Sequence, residues 1–260
     1  PGDDEVFELA FSDRAQVRSG AWPREDALRQ IKPNGGPIAH LEGERGDERV
    51  VRVVHACGTI AHFEGSKGRE RKVRRVYPDG RVDHFEGVCG KMRLVRTTLP
   101  TGHTRHYEGE KGKERIVRRD RPDGMSEHYE GYRGQVRLAR IVSPDGRAAH
   151  YEGALGHERL VRRVEYGSTM HYEGERGQER RVRSDCAFGI VEYYDGEHGR
   201  ERKVRAVHRD GLIEDYEGER GEERLVQIVH LSGTVEHYEY DTGKQRLARL
   251  EEPNGYVIYF

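Results

Sequence analysis

The chain has 260 residues, of which 33% are hydrophobic and 36% charged, with a mean hydropathy of −0.97. Ordinary domains carry about 45–50% apolar and about 25% charged residues, so a thick two-layer core is excluded and a thin core spread along an elongated object is expected. The 46 Lys and Arg balance the 47 Asp and Glu, which leaves no global attraction for nucleic acid or an anionic membrane.

In chain order, residues 1–15, containing "EVFELAF", read as an N-terminal cap strand. Residues 16–39 read as a degenerate first repeat. Here "EDALRQIKPNG" overlays the later "ERKVRRVYPDG", with Leu28 in a Val slot and Arg29 in an Arg slot. From there one phrase recurs. A His precedes an aromatic residue at His62, His84, His106, His128, His150, His171 and His237, and precedes Leu41 at His40, with Tyr193 and Asp215 filling the two remaining slots. The spacing is 22 residues, and 21 once, between His150 and His171. After the aromatic residue come an acid and a Gly. A second Gly follows, and three residues beyond it an Arg, at Arg49, Arg71, Arg93 and onward without exception. Two residues later stands Val, or Ala at Ala139 and Ala248; a second Arg follows, replaced once by Gln227. Each repeat closes on a turn such as Pro78-Asp79-Gly80. The array ends on residues 256–260, a last strand without its second half.

Two turn signals per repeat leave two segments of roughly six residues, rich in Val, Ile, Tyr and Phe and without helical periodicity. That pattern predicts strands. The fold class expected is all-β: about eleven antiparallel β-hairpins in a single twisted meander. A parallel β-helix with one coil per repeat is the alternative, and the tight Pro-Asp-Gly turns favour hairpins. Period-two alternation places Ile60, His62 and Glu64 on one face and Phe63 on the other. It also places Arg71 and Val73 together, opposite Lys72 and Arg74. The Val/Ala slot is expected to pack with the aromatic slot.

The candidate binding residues are the second-Arg column, Arg74, Arg96, Arg118, Arg140, Arg162, Arg183 and Arg205, and the His column, His84, His106, His128 and His150. An Arg column suits a polyanion. The structural reading is a cross-strand Arg–Glu ladder, each rung worth about 0.2–1 kcal/mol, since each Arg has a Glu near it in sequence. Successive His residues in a meander lie roughly 10 Å apart, too far to share a zinc ion, so no metal and no cofactor is expected. No nucleophile elbow, phosphate loop or metalloprotease motif is present, and no catalytic residue is assigned. The irregular positions Tyr193, Asp215, Gln227, Cys186 and Trp22 are where a site could acquire individuality. Cys57, Cys89 and Cys186 are odd in number and far apart. They argue against a disulfide framework and for small buried thiols in a reducing compartment. Without a membrane span or a leader pattern, the chain is expected to be cytoplasmic. Its start at Pro1 suits a piece of a longer protein.

The segment "YEGEKGKERIVRRDRPDGMSEHYEG" resembles the MORN (membrane occupation and recognition nexus) repeat, which runs Tyr-x-Gly-Glu, a Gly turn, a second strand, then Asp-Gly before the next Tyr-x-Gly. The resemblance covers about residues 20–260. This chain lacks the aromatic residue that follows Gly-Glu there, and Glu-Arg-x-Val-Arg replaces the segment that opens the second strand. The resemblance implies a curved single-layer sheet used for scaffolding, dimerisation and in some cases phosphoinositide contact. The expected function is a non-enzymatic scaffold for protein–protein interaction. The alternatives are an anion-binding module acting through the Arg columns on phospholipid or nucleic acid, and a structural spacer. The last strand, "YVIYF", offers an edge for a homodimer.

Overall fold

The computed structural model describes residues 29–31, 36–241 and 243–260. The expected cap strand at 1–15, Trp22 and most of the degenerate first repeat lie outside these residues. The described residues form 22 strands, from Arg29–Ile31 to Val257–Tyr259, and no helix. They group into two compact units, one ending at Val136 and the next beginning at Arg137. Within each unit consecutive strands pair antiparallel, so the repeat is a β-hairpin and the β-helix alternative is ruled out.

Each hairpin joins a five-residue strand carrying the His, such as Ile60–Glu64, to a six-residue strand carrying both Arg residues, such as Arg71–Val76. The Gly-x-x-Gly connection needs its first glycine twice over. Gly109 sits at φ +117°, and a Cβ there would lie 2.7 Å from the Lys113 carbonyl oxygen. The Pro-Asp-Gly connection is a four-residue turn closed by Gly80 N–H to the Tyr77 carbonyl at 3.0 Å, with the Asp79 carboxylate accepting from the Arg81 N–H at 2.9 Å. The single 21-residue spacing has a local cause. Tyr166 and Gly167 alone connect Glu165 to its partner Ser168, both at positive φ, which is a two-residue type I′ turn one residue shorter than its counterparts.

The strands do not alternate as the sequence suggests. In nine hairpins the register jumps by one residue in the middle of the Arg strand: Phe63 faces Lys72, but His62 faces Arg74, and Val73 has no partner. The Val/Ala column is therefore the extra residue of a β-bulge and is half-buried rather than packed in a core. The bulge returns Arg74 to the face of His62, Glu64 and Arg71, which corrects the expected placement of Arg74 opposite Arg71. The expected overlay of the degenerate repeat is also one residue out. Gln30, not Arg29, faces His40, ten residues on, just as Arg52 faces His62 in the next hairpin.

The two faces differ. One carries Ala61, Phe63, Lys72 and Arg75 and their equivalents, and six of the seven most buried residues lie on it: Leu41, Ala61, Asp83, Thr97, Ser184 and Ala206. Call this the aromatic face. On it, Lys72, Arg181 and Lys203 stack over the rings of Phe85, Tyr194 and Tyr216. The other, polar face carries His62, Glu64, Arg71 and Arg74. Only four hydrophobic residues are buried among those described, so stability rests on contacts between neighbouring strands, as in repeat arrays generally. Cys57 and Cys89 are exposed and Cys186 half-buried, not the buried thiols expected. In a single layer few positions exclude water. Among the described residues no helix is long and apolar enough to cross a membrane.

Candidate functional site

The polar face holds two kinds of Arg, and they do different things. The first Arg of each strand lies opposite the acid of its own hairpin. Arg49, Arg71, Arg93 and Arg115 reach Glu42, Glu64, Glu86 and Glu108 at 2.8, 3.6, 3.5 and 3.6 Å. Arg49 and Arg71 also donate to the carbonyls of Gly65 and Gly87 in the following repeat, at 3.2 and 3.1 Å. This column is structural.

So is the Glu that precedes it. Pairing to the next hairpin covers only the last three residues of each Arg strand, which leaves the N–H ahead of the bulge without a strand partner. The Glu of the next repeat accepts it: Val50 N–H to Glu70 at 3.3 Å, Leu94 to Glu114 at 3.2 Å, Leu160 to Glu179 at 3.1 Å and Arg181 to Glu201 at 3.2 Å. The Glu158 carboxyl is held below the usual carboxylate range first by its own backbone N–H and then, against slight burial, by those of Gly156 and Leu138. The Glu-Arg dipeptide thus joins each hairpin to its neighbour.

The second-Arg column is different. Arg74 faces His62 of its own hairpin and His84 of the next. Within a unit the two candidate columns therefore merge into a single row, His62–Arg74–His84–Arg96–His106–Arg118–His128 in the first and Arg140–His150–Arg162–His171–Arg183 in the second. All seven candidate Arg residues are exposed and all four candidate His residues are half-buried.

Along this row, acids appear only at particular rungs. Asp120 takes a hydrogen bond from Arg118 at 2.6 Å and lies 2.9 Å from the His106 ring. Asp185 does the same for Arg183 and His171, at 2.7 and 3.1 Å, and Glu251 for Arg249 at 2.8 Å. Asp215, in a His slot, receives a two-pronged bond from Arg205 at 2.6 and 3.2 Å. Asp120 titrates below its usual range because the bonds from Arg118, Ser126 and His106 outweigh its burial.

The other rungs carry no acid. Arg96 donates to His84 at 3.2 Å and Arg162 to His150 at 3.1 Å, which requires an unprotonated ring nitrogen. Arg52 and Arg74 form no ion pair among the described residues, and the buried Arg52 Nε has no partner. His62, His84 and His150 titrate below the ordinary histidine value, first through burial and then through the Arg residues on either side. The sequence reading gave every Arg a Glu. The register supplies one to the first column and withholds it from much of the second.

Beside the acid-free rungs runs an aliphatic row on the same face. Ile38 faces Val54, Val54 faces Ile60, Ile60 faces Val76 and Val76 faces Val82, all half-buried.

The sequence reading missed a second set of groups, on the aromatic face. The residue that opens the Pro-Asp-Gly-type turn reaches the residue six later, and that residue meets the aromatic ring two further on. His230 lies 3.0 Å from Glu236, which accepts from the Tyr238 hydroxyl. His208 and Tyr216 meet Glu214 at 3.1 and 2.6 Å, and Cys186 and Tyr194 meet Glu192 at 3.7 and 2.5 Å. In the first unit, Tyr77 and Thr97 donate to buried Asp83 at 2.9 and 2.8 Å. The signal was an i, i+6, i+8 spacing. Bonding to Glu236, more than burial, pushes the Tyr238 hydroxyl up to about 12, so this phenol stays protonated and serves as a donor within the sheet.

No known family and no curated protein matches the chain. Solved structures align with it in part. They include the crystal structure of TcdB2-TccC3, at 11% identity over 79% of this chain and 18% of that one, with a TM-score of 0.14. The crystal structure of TcdB2-TccC3-Cdc42 aligns at 11% identity over 83% and 15%, with a TM-score of 0.15. A structure of the Photorhabdus luminescens Tc holotoxin pore aligns at 11% over 86% and 15%, with a TM-score of 0.17. The chain spans less than a fifth of the length of each, and likeness at these scores carries no argument.

Proposed function

We propose that this chain is a non-enzymatic scaffold whose polar face engages a protein partner. The observation that carries the reading is repetition of one rung. The His-to-Arg register is the same in seven hairpins, from His40–Arg52 to His237–Arg249. Catalysis requires a unique constellation of groups, whereas cations repeated at one register suit something extended. Rungs that share one register also supply weak contacts that sum, so a partner gains affinity through multivalency. Residence in the cytoplasm and MORN kinship belong to the same proposal.

A second reading, an anion-binding module for phospholipid or nucleic acid, is favoured by exposed Arg74, which forms no ion pair among the described residues. Affinity capture at about 0.15 M and about 0.5 M salt separates the two, because polyanion binding falls steeply with salt. A discrete protein retained at both concentrations, cross-linkable to the polar face, is the expected result. Recovery of only lipid or nucleic acid, lost at the higher salt and lost by Arg74→Gln/Arg96→Gln, overturns the scaffold reading.

A further inference from the structure

The first unit displays a row with a definite pitch, and the pitch restricts what can lie on it. Arg52, Arg74 and Arg96 occupy the same position in three consecutive hairpins. Successive Arg residues are two strands apart, roughly 9.5 Å at the usual interstrand spacing. His62 and His84 sit between them, and the row contains no acid from Arg52 to Arg96. On one side lies the aliphatic row Ile38–Val54–Ile60–Val76–Val82. On the other lies the Glu–Arg ladder of Glu42, Glu64 and Glu86, whose carboxylates are already held by Arg49, Arg71 and Arg93.

A polyproline II helix rises about 3.1 Å per residue with three residues per turn, so every third side chain points the same way at about 9.3 Å intervals. That is the pitch of the Arg row to within the spread of strand spacings. With three residues per turn, the two side chains between successive acidic ones lean to opposite sides, one toward the aliphatic row, where Pro is a good match in size and polarity, and one toward the Glu–Arg ladder. We propose that the acid-free row of the first unit binds a partner segment in polyproline II conformation that carries an acidic residue at every third position, with Pro or small apolar residues between. This rests on the scaffold reading and names the partner's chemistry.

Other polyanions fit less well. A nucleic acid leaves the aliphatic row uncovered, finds no aromatic platform for its bases among Arg52 to Arg96, and brings a dense run of phosphates against the carboxylates of Glu42, Glu64 and Glu86. A bilayer is flat, while a sheet turns by about 20–25° per strand, so a membrane reaches one or two rungs at a time. A single extended chain can wind with the sheet and reach all three.

The test uses the full chain and labelled peptides of about twelve residues, read by fluorescence anisotropy at about 0.15 M salt. The first peptide repeats Glu-Pro-Pro. The second has the same composition with its Glu residues clustered. The expected result is binding of the first at least about tenfold tighter than the second. Losing two exposed ion pairs in Arg74→Gln/Arg96→Gln should weaken it by about tenfold, with no change for Arg118→Gln, whose partner Asp120 already occupies it. Arg74→Glu/Arg96→Glu should instead take up a Lys-Pro-Pro peptide, which separates loss of recognition from loss of folding. Equal affinity for the two Glu peptides, or binding of neither, refutes the proposal and leaves the scaffold reading to the capture experiment. Binding of a single-stranded oligonucleotide or of phosphatidylserine vesicles, with neither peptide bound, overturns both readings.

Discussion

The glycines of the Gly-x-x-Gly connection are alike in sequence but not in physical demand, and replacing each by alanine separates the two. Gly109 and Gly112 belong to the same loop. Gly112 lies at φ +77°, with nothing within 4 Å of a Cβ. Alanine there is asked only to adopt a left-handed conformation, at about 1 kcal/mol. Gly109 lies at φ +117°, beyond the left-handed well, and its Cβ would meet the Lys113 carbonyl at 2.7 Å. To relieve that contact the backbone must move, and with it the Lys113 N–H to Glu110 turn bond of 2.9 Å. Strain and contact together cost about 3 kcal/mol. At about 2–4 °C per kcal/mol for a chain of this size, Gly112→Ala should lower Tm by about 2–4 °C and Gly109→Ala by about 6–12 °C, followed by far-UV circular dichroism. Because each hairpin leans on its neighbours, hydrogen exchange should quicken first in Thr104–Glu108 and Arg115–Asp120. Equal losses for the two substitutions, or a larger loss for Gly112→Ala, refute the account of the loop.

Three other substitutions or conditions test separate features. Tyr166 holds φ +48° at the first position of its two-residue turn, where Asn is favoured; Tyr166→Asn should raise Tm by about 2–4 °C, and a fall would mean that the exposed ring makes a contact worth more than the strain. Glu201→Ala removes the acceptor for the Arg181 N–H at a solvent-accessible site; a loss of about 1 kcal/mol in a urea melt is expected, and no loss would show that water replaces it fully. His62, His84 and His150 titrate below the ordinary value when folded, so the unfolded chain binds more protons and acid favours unfolding. Their contribution is intact above about pH 6.5 and declines as pH falls through that value. That of Asp120 and Asp185, whose folded values are depressed, is lost only at lower pH, as it drops through those folded values. A urea midpoint that does not change between about pH 7.5 and 5, or a decline that persists when His62, His84, His150 and also His55, which burial and Arg75 hold low as well, are all changed to Gln, contradicts the assignment.

The repeat, the hairpins and both turns were legible in the sequence because Gly and Pro mark backbone conformations that few other residues adopt. The bulge was not. Arg71-Lys72-Val73-Arg74 reads as ordinary alternation, and nothing in one strand reveals that its partner, Ile60–Glu64, is a residue shorter. Restriction of the bulge slot to Val or Ala looked like core packing, since a constrained backbone site and a packed site both limit residue size. That error put Arg74 on the wrong face and hid its pairing with His62 and His84. The acids at Asp120, Asp185 and Glu251 stand in a column otherwise filled by Val or Thr. They could have been found by reading down columns rather than along strands. The Asp83 and Glu236 clusters carry a spacing signal that becomes readable only once the turn residue is known to reach back over the sheet.

The short turn at Tyr166 changes how the molecule keeps count. One residue is missing there, yet Arg162 still faces His171, and His171 still faces Arg183. Position along the row is therefore measured in strands rather than in residues, and a lost or gained loop residue does not shift the gauge. A chain built this way can be lengthened or trimmed by whole hairpins, with every new junction chemically the same as the one it replaces. Its reach becomes a quantity that gene duplication or deletion can set in steps of roughly one nanometre.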